Sequence, residues 1–218
     1  MPDCPVTVVL PCLNEAASLP GVLAAIPRGY RVLIVDNNST DDTAEVARGH
    51  GAAVVAEPRP GYGSAVHAGV VAATTPVVAV LDADGSLDPG DLPRLVSELD
   101  RGADLVTGRR RPIRGLRWPW HARLGTAAVC WGLRTRYGLA VHDIAPMRVA
   151  RRDALLGLGI VDRRSGYPVE LLVRAAKAGW QVVERDVPYG PRTGGKSKVS
   201  GSARGSLVAA HDFWRVMW

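Results

Sequence analysis

The run Val77-Val78-Ala79-Val80-Leu81-Asp82-Ala83-Asp84-Gly85 joins five apolar residues to a pair of aspartates and a glycine. Because its apolar part does not alternate with polar residues, it is typical of a strand buried on both faces of a sheet. Asp82 and Asp84 follow at the end of this strand, and side chains two residues apart in an extended chain share a face. The run therefore predicts a buried strand that ends in two convergent carboxylates.

Short apolar runs and helical patterns alternate on both sides of this strand. Further strands are predicted at residues 6–10, 31–35, 53–56 and 104–107, and helices at 18–26, 41–48, 63–73 and 92–99. The cluster Ser39-Thr40-Asp41 is predicted to cap the helix at 41–48. This alternation predicts an α/β fold with a Rossmann-like, mostly parallel sheet flanked by helices. In such sheets, ligands bind beyond the carboxyl ends of the strands.

The second half of the chain has a different composition. Residues 109–123 are rich in Arg, Trp and Pro, and an apolar helix is predicted at 124–137. A helix at 167–178, a strand at 181–188, a Gly/Lys/Ser loop and a terminal helix complete the prediction. Because no linker or internal repeat interrupts the 218 residues, we expect a single domain.

The charge composition narrows the classes of partner. The net charge is +6, and nearly all of the basic charge is arginine, whose planar guanidinium group suits phosphates. This favours anionic partners such as nucleotide phosphates or anionic lipid, although a solvated basic surface would give the same composition. The sequence contains no basic platform with interleaved aromatic residues, so no nucleic-acid partner is predicted.

Cysteine content and hydropathy indicate the compartment. Cys4, Cys12 and Cys130 are odd in number and lack metal-ligand spacing, which predicts buried thiols in the reducing cytoplasm. The sequence shows neither a secretory signal nor an apolar run of about 18 residues, so any membrane contact is predicted to be peripheral. The arginine-rich segment with Trp118-Pro119-Trp120 is typical of contact with the anionic cytoplasmic face of a membrane. A core helix flanked by an exposed basic loop remains the alternative.

Asp82 and Asp84 are the candidate metal ligands. Two adjacent carboxylates repel each other unless a cation lies beside them, and Mg²⁺ typically binds a few carboxylates plus substrate phosphates. Mn²⁺ is an equal candidate. The alternative is a turn in which these residues only satisfy the loop backbone, but the position after a buried strand favours the metal site. Polar clusters at the ends of other strands, at 14–15, 36–38 and 59–63, predict a crevice of nucleoside size.

The run Val9-Leu10-Pro11-Cys12-Leu13-Asn14-Glu15 resembles the opening of family 2 glycosyltransferases, which have the GT-A fold. Asp36, in the run Asp36-Asn37-Asn38-Ser39-Thr40-Asp41, is similar to their strand-two aspartate, and Asp82-Ala83-Asp84-Gly85 is similar to their metal motif. The resemblance is to the branch of dolichyl- and polyprenyl-phosphate glucose or mannose synthases. It continues through Gly108-Arg109, Asp143, Gly166-Tyr167-Pro168-Val169-Glu170 and Arg192-Thr193-Gly194-Gly195-Lys196-Ser197-Lys198, and so covers nearly the whole chain.

The resemblance implies inverting transfer of a hexose from a UDP- or GDP-sugar to a polyprenyl or dolichyl phosphate. Residues 1–108 would bind the nucleotide-sugar and residues 109–218 the acceptor. Together with the polar clusters, it indicates donor-binding roles for Pro11, Asn14, Glu15, Asp36, Asn38, Arg59, Gly61, Gly63, Asp82 and Ala83. The resemblance also implies acceptor- or phosphate-binding roles for Arg109, Arg123, Arg192, Lys196 and Lys198. Asp82 and Asp84 would hold Mg²⁺ or Mn²⁺, and Arg109 would act near the acceptor.

Three alternatives remain open on the sequence. A hydroxyl acceptor would need a general base, for which Asp143 is the candidate, although a helix or turn cap would also explain this residue. A binding module without turnover would keep the donor site. The run from Gly190 to Ser197 matches the GxxxxGK[ST] phosphate loop, but Pro191 removes a backbone donor, and only 21 residues follow Ser197.

Overall fold

The computed structural model describes residues 5–116 and 120–194, together with Phe213 and Arg215. The strands are β1 (Val6–Cys12), β2 (Arg31–Asp36), β3 (Ala53–Ala56), β4 (Val77–Val80), β5 (Leu105–Pro112), β6 (Met147–Arg151) and β7 (Val182–Tyr189). The α-helices are α1 (Leu19–Ala25), α2 (Thr43–Gly49), α3 (Tyr62–Ala72), α4 (Leu92–Asp100), α5 (Trp120–Tyr137), α6 (Arg152–Gly157) and α7 (Tyr167–Lys177).

One sheet with the strand order β3-β2-β1-β4-β6-β5-β7 runs through the protein. Neighbours are parallel from β3 to β4 and between β5 and β7, whereas β6 runs antiparallel to both β4 and β5. The prediction of a single α/β domain with a mostly parallel sheet is therefore confirmed. The carboxyl ends of β1, β2 and β4 lie at the same edge of the sheet, where the predicted polar clusters follow the strands.

Alternate residues of the central strands pack against helices on opposite faces of the sheet. Val8 and Leu10 belong to one apolar cluster together with residues of α1 and α4. Val9 belongs to a second cluster with residues of α3, α5 and α7. All four residues of β4 are buried, which confirms the prediction that this strand is covered on both faces.

The structure corrects the sequence prediction at two strands. β5 continues to Pro112, well past the predicted end at Thr107, because it pairs with β7 along its whole length, so Arg109–Arg111 lie on a strand. β6 was not predicted at all. Its sequence MRVAR carries Arg148 at the second position, and this arginine breaks the apolar run although it is only 5% exposed.

Of the residues predicted to cap α2, only Asp41 bonds to the start of the helix, where its Oδ1 accepts from the Thr43 N–H at 3.1 Å. The helix begins at Thr43, two residues later than predicted. Ser39 and Thr40 instead bond to the loop after β1: the Ser39 hydroxyl accepts from the backbone N–H of Asn14 at 3.0 Å, and the Thr40 N–H donates to Asn14 Oδ1 at 2.7 Å. These polar residues therefore join the ends of β1 and β2, next to the predicted crevice.

Several other predictions concern the apolar segments. Cys12 and Cys130 are buried, as predicted, whereas Cys4 lies outside the described residues. Phe213 and Arg215 are helical, and the rest of the predicted terminal helix lies outside the described residues, as do Trp118 and Pro119. No helix within the described parts of the chain is long and apolar enough to cross a bilayer.

Candidate active site

Asp82 and Asp84 lie directly after β4, at the carboxyl edge of the sheet. Asp82 is partly exposed as a residue, but its Oδ1 is buried and has no hydrogen-bond partner among the described residues. Asp84 is 3% exposed; its Oδ1 accepts from the Ser86 N–H at 2.9 Å, and its Oδ2 pairs with Arg192 Nη1 at 3.0 Å. A buried carboxylate oxygen without a partner is costly, so Asp82 is the group in this turn that most needs a cation.

The electrostatics of the turn point in the same direction. Burial, reinforced by the neighbouring Asp84 carboxylate, raises the pKa of Asp82 to about 6, while the guanidinium groups of Arg148, Arg110 and Arg192 act to lower it. At neutral pH the Asp82 carboxyl is therefore mostly ionised, and it lies among positive charges. Oxygen ligands of this kind suit Mg²⁺ or Mn²⁺. Within the described residues, no group of three or more His, Cys, Asp or Glu side chains is arranged so that it could hold a metal ion by itself.

The predicted donor-binding residues cluster at the ends of β1 and β2. Asn14 and Asn38 both have left-handed backbone conformations, with φ of 58° and 68°. Asp36 Oδ1 accepts from the Ser39 N–H at 3.0 Å. Glu15 is 9% exposed, and its backbone N–H donates to Thr43 Oγ1. The structure thus brings Asn14, Glu15, Asp36 and Asn38 together around the loop after β1, and Pro11 lies in β1 itself.

Asn37 is a residue of this cluster that the sequence analysis missed. Its amide nitrogen donates to the carbonyl oxygens of Glu57 and Arg59 at 2.7 and 2.8 Å, and its Oδ1 accepts from the Gly61 N–H at 2.8 Å. Asn37 is 6% exposed. It therefore fixes the segment around Arg59 against the end of β2. The only feature of the sequence that points to Asn37 is its position between Asp36 and Asn38.

Close packing explains why small residues occupy the positions of Gly61, Gly63 and Ala83. A Cβ at Gly61 would lie 2.3 Å from the carbonyl oxygen of Arg163, and one at Gly63 would lie 2.8 Å from the backbone of Asp162 and Arg163. Ala83 is buried in the core cluster beneath α1 and α4. Any contact of Ala83 with a donor must therefore run through its backbone.

Arg110, which the sequence analysis did not single out, forms the most extensive ion pair of the site. Its Nε and Nη2 donate to Oδ2 and Oδ1 of Asp143 at 2.8 and 2.6 Å, and its backbone N–H donates to Oδ2 at 2.9 Å. Asp143 is 2% exposed. A carboxylate whose two oxygens are both bound to a guanidinium group is poorly placed to take a proton. This geometry argues against Asp143 as a base, and against the alternative of a helix cap.

His142 and Glu184 hold the loop that carries Asp143. Glu184 Oε1 accepts from the backbone N–H groups of His142 and Asp143 at 2.8 and 3.1 Å, and its Oε2 lies 2.8 Å from His142 Nδ1. Burial raises the pKa of Cys130 in α5 to about 12, and the nearby carboxylates of Asp143 and Glu184 add to the rise. The middle of α5 therefore lies against this network.

The remaining arginines of the predicted acceptor half have different surroundings. Arg109 lies 3.9 Å from Asp186, at the edge of an ion pair, and Arg111 pairs with the same carboxylate at 2.7 Å. Arg123 lies exposed on α5. Lys196 and Lys198 lie outside the described residues.

Arg148 is a buried cation beneath the aspartates. Its Nη1 donates to the hydroxyl oxygen of Tyr62 at 3.2 Å, and its guanidinium carbon lies 5.9 Å from the centroid of the Tyr62 ring. Burial raises the pKa of Tyr62, so the phenol stays neutral. The Arg148 guanidinium group acts on both Tyr62 and Asp82. An arginine between the apolar residues of a short strand is the sequence signal that would have found it.

The segment at residues 190–194, which follows β7, lies over the aspartate turn. The N–H groups of Gly190 and Thr193 donate to the carbonyl oxygens of Ser86 and Asp84 at 2.8 and 3.0 Å. In a phosphate loop these N–H groups would point at phosphate, whereas here they bind the protein's own turn. This geometry argues against the phosphate-loop alternative for the part of the motif that is described.

One side of α5 is exposed and apolar. Trp120, Leu124 and Trp131 are 72%, 61% and 70% exposed, and their spacing of four and seven residues places them on one side of a helix. The opposite side packs into the core through Cys130 and Leu133. We call Trp120, Leu124 and Trp131 the apolar face of α5.

Comparison with known proteins identifies the family of the chain. The model of the family described as Glycosyl transferase family 2 matches residues 7–158. An "Uncharacterized glycosyltransferase Rv0539" from Mycobacterium tuberculosis is 78% identical over 212 residues, which are 97% of each chain. A "Dolichyl-phosphate hexose transferase" from Haloferax volcanii is 33% identical over 205 residues, covering 92% of this chain and 89% of that protein.

A solved structure has the same fold. Glucosyl-3-phosphoglycerate synthase from Mycobacterium tuberculosis, in complex with Mn²⁺, UDP and glucosyl-3-phosphoglycerate, superposes with a TM-score of 0.76. The match covers 99% of this chain and 79% of that one, at 24% identity.

Proposed function

Because this chain belongs to glycosyl transferase family 2, we propose that it transfers a hexose from a UDP- or GDP-sugar to a polyprenyl phosphate at a membrane surface. The observation that carries the choice of acceptor is the apolar face of α5, the helix in which the pKa of Cys130 is raised by burial and by the Asp143 and Glu184 carboxylates. A lipid acceptor explains why large apolar side chains are exposed beside a charged site.

The donor would bind at the carboxyl edge of the sheet, in the half formed by residues 1–108. Asp36 and its neighbours would accept hydrogen bonds from a nucleoside, and Asp82 and Asp84 would hold a divalent cation beside the diphosphate. When bound, Mg²⁺ or Mn²⁺ would supply charge neutralisation for the leaving nucleoside diphosphate. Arg192, which already lies at Asp84, adds a positive charge beside the same place.

The acceptor would bind in the half formed by residues 109–218. A lipid phosphate is already an oxyanion, so its attack on the sugar carbon needs no base. The pairing of Asp143 with Arg110 supports this class of acceptor, because it leaves the predicted base engaged. Arg109, whose nearest carboxylate lies 3.9 Å away, is placed to bind the acceptor phosphate instead. The name of the Haloferax relative points to the same class.

The membrane would contact the apolar face of α5. The helix carries no acidic residue, and the exposed arginines Arg123 and Arg134 lie beside that face. Tryptophan favours the membrane–water interface, and each basic residue near an anionic leaflet contributes about 1 kcal/mol. These features support peripheral contact with the cytoplasmic leaflet and the proposed cytoplasmic location.

The test is transfer of radiolabel from a panel of UDP- and GDP-hexoses, with Mg²⁺ or Mn²⁺, to polyprenyl phosphate in vesicles. We expect label to enter the organic phase with one donor, and to be lost with EDTA and in Asp84→Asn. Asp88→Asn is the matched control, since Asp88 is exposed and only bonds to the Gly90 N–H nearby. Absence of lipid product with every donor would refute the lipid acceptor.

A second acceptor class, a sugar or alcohol hydroxyl, is favoured by one observation. His142 is 54% exposed at its side chain, and its Nδ1 is held by the Glu184 carboxylate, an arrangement that suits a histidine acting as general base. Under this alternative, His142→Gln would abolish transfer to a soluble acceptor. Under the lipid-phosphate proposal, the same variant would retain transfer to polyprenyl phosphate.

A further inference from the structure

The segment at residues 190–194 closes over the aspartate turn by contacts that tie it to Asp84 in particular. The N–H and the hydroxyl of Thr193 both donate to the Asp84 carbonyl oxygen, at 3.0 and 3.2 Å, and Gly190 bonds to the carbonyl of Ser86. Arg192 adds the ion pair to Asp84 Oδ2 at 3.0 Å. We call residues 190–194 the clasp.

The turn beneath the clasp is shaped to receive it. Gly85 has φ of 74°, and a Cβ at this position would lie 2.3 Å from Thr193 Oγ1. A larger residue would therefore be strained and would also push Thr193 away. At the far end of the clasp, a Cβ on Gly194 would lie 3.2 Å from the Cβ of Ala17, in the loop after β1. The clasp thus spans from β7 to the donor side of the site.

The ion pair within the clasp competes with a metal ion. Asp84 Oδ1 accepts from the Ser86 N–H and Oδ2 pairs with Arg192, so a cation that binds Asp84 through Oδ2 meets the Arg192 guanidinium group. A divalent cation and a guanidinium group at the same carboxylate oxygen repel each other. Arg192 is also 31% exposed at its side chain, so it has room to turn toward another anion.

This inference rests on the proposed donor site. We propose that Arg192 is a place-holder for the metal, by which we mean that its guanidinium group neutralises Asp84 while the site is empty. When the cation binds, the guanidinium group moves from Asp84 to the donor diphosphate. The clasp thereby couples metal binding to nucleotide binding. A metal ion that binds without nucleotide must break the Arg192–Asp84 ion pair, and Arg192 then gains no new partner. Metal together with a nucleoside diphosphate breaks the same pair but gives Arg192 a new phosphate partner, with which arginine forms strong charge-assisted hydrogen bonds.

The test is the binding of Mn²⁺, followed by the electron paramagnetic resonance signal of the free ion, with and without UDP or GDP. Without nucleotide, we expect Arg192→Gln to bind Mn²⁺ about fivefold more tightly than the wild type, because a competing, partly exposed ion pair is lost. With nucleotide, the wild type gains affinity for Mn²⁺, and in Arg192→Gln this gain falls at least tenfold. Arg192→Lys, which keeps the charge without the planar fork, should lie between the two.

Arg94→Gln is the matched control. Arg94 also forms an ion pair with an aspartate, Asp91, at 2.8 Å, but on α4 rather than over the turn, so this variant should bind Mn²⁺ as the wild type does. If Arg192→Gln without nucleotide bound Mn²⁺ no more tightly than the wild type does, the place-holder proposal would be overturned. This would hold even if nucleotide no longer increased the affinity of the variant for Mn²⁺. If the wild type bound neither Mn²⁺ nor nucleotide, the proposed donor site would fail as well, and the clasp with it.

Discussion

Replacing Asp143 by asparagine separates a positioning role from a catalytic one. The Asp143 side chain is 2% exposed and that of Arg110 is 18% exposed, and three hydrogen bonds join the two residues. Removing one partner of a buried ion pair costs about 3–5 kcal/mol, because the other charge is left without compensation. Asparagine keeps one acceptor oxygen for the backbone N–H of Arg110, so we take the lower end, about 3 kcal/mol.

This loss is large enough to measure by thermal unfolding. In a domain of this size, each kcal/mol shifts Tm by about 2–4 °C, so Asp143→Asn should lower Tm by about 6–12 °C. Circular dichroism in the absence of donor measures this shift directly. Asp153→Asn is the matched control. Asp153 forms an ion pair with Arg152 at 2.7 Å, a distance similar to that between Arg110 and Asp143, but the Asp153 side chain is 89% exposed. Exposed ion pairs contribute little to stability. We expect its Tm to stay within about 2 °C of the wild type.

The activity of the same variant decides the role. If Asp143 positions Arg110, loss of transfer should accompany loss of stability, and Arg110→Met together with Asp143→Leu should recover Tm without recovering transfer. An Asp143→Asn variant with unchanged Tm and a drop of about a thousandfold in turnover would refute the ion-pair reasoning. That result would make Asp143 a base and would favour a hydroxyl acceptor.

Three further predictions follow from packing, charge and exposure. Gly69→Ala should lower the free energy of unfolding, measured by chemical denaturation, by about 1–3 kcal/mol. The reason is that a Cβ at Gly69 would lie 2.2 Å from Val9 Cγ1. Gly125→Ala, whose Cβ would meet nothing within 4 Å, should not destabilise the protein. The raised pKa of Asp82, about 6, means that the folded protein binds a proton more readily than the unfolded chain. Relative to Asp82→Asn, the metal-free wild type should therefore gain about 2 kcal/mol of stability as the pH falls from 7 to 4, and a loss over that range would contradict the assignment. Trp131→Ser should weaken binding to anionic vesicles in a sedimentation assay about tenfold, from the apolar area removed, and unchanged binding would exclude the apolar face of α5 as the contact.

The parts of the site that could be predicted from the sequence are those encoded locally. The apolar run before Asp82 and the two-residue spacing to Asp84 are visible in nine consecutive residues, because strand burial and side-chain alternation are short-range properties. The same reasoning failed at β6, where Arg148 interrupts the apolar pattern. It is buried there against Tyr62 and near the Asp82 carboxylate, and a charge at a site is where a pattern of burial is expected to break.

Contacts between distant parts of the chain could not be predicted in this way. Arg110 and Asp143 are 33 residues apart, and Thr193 contacts Asp84 across 109 residues. Neither separation leaves a periodic signal, since the pairs depend on the order of strands in the sheet. The insertion of β6 between β4 and β5 brings the loop that carries Asp143 to the carboxyl edge of the sheet. Only the resemblance to a family pointed to Asp143, and it did not identify its partner.

The charges around the aspartate turn explain why donor and metal should bind together. Three carboxylates (Asp82, Asp84 and Asp143) face three guanidinium groups (Arg110, Arg148 and Arg192). The empty site is therefore close to neutral, and a divalent cation alone would leave it with two positive charges in a partly buried place, where such an excess is costly. A nucleoside diphosphate sugar brings two negative charges and restores the balance. After the sugar leaves, the additional charge on the departing diphosphate meets guanidinium groups that are already in position, so the protein need not reorganise as that charge develops.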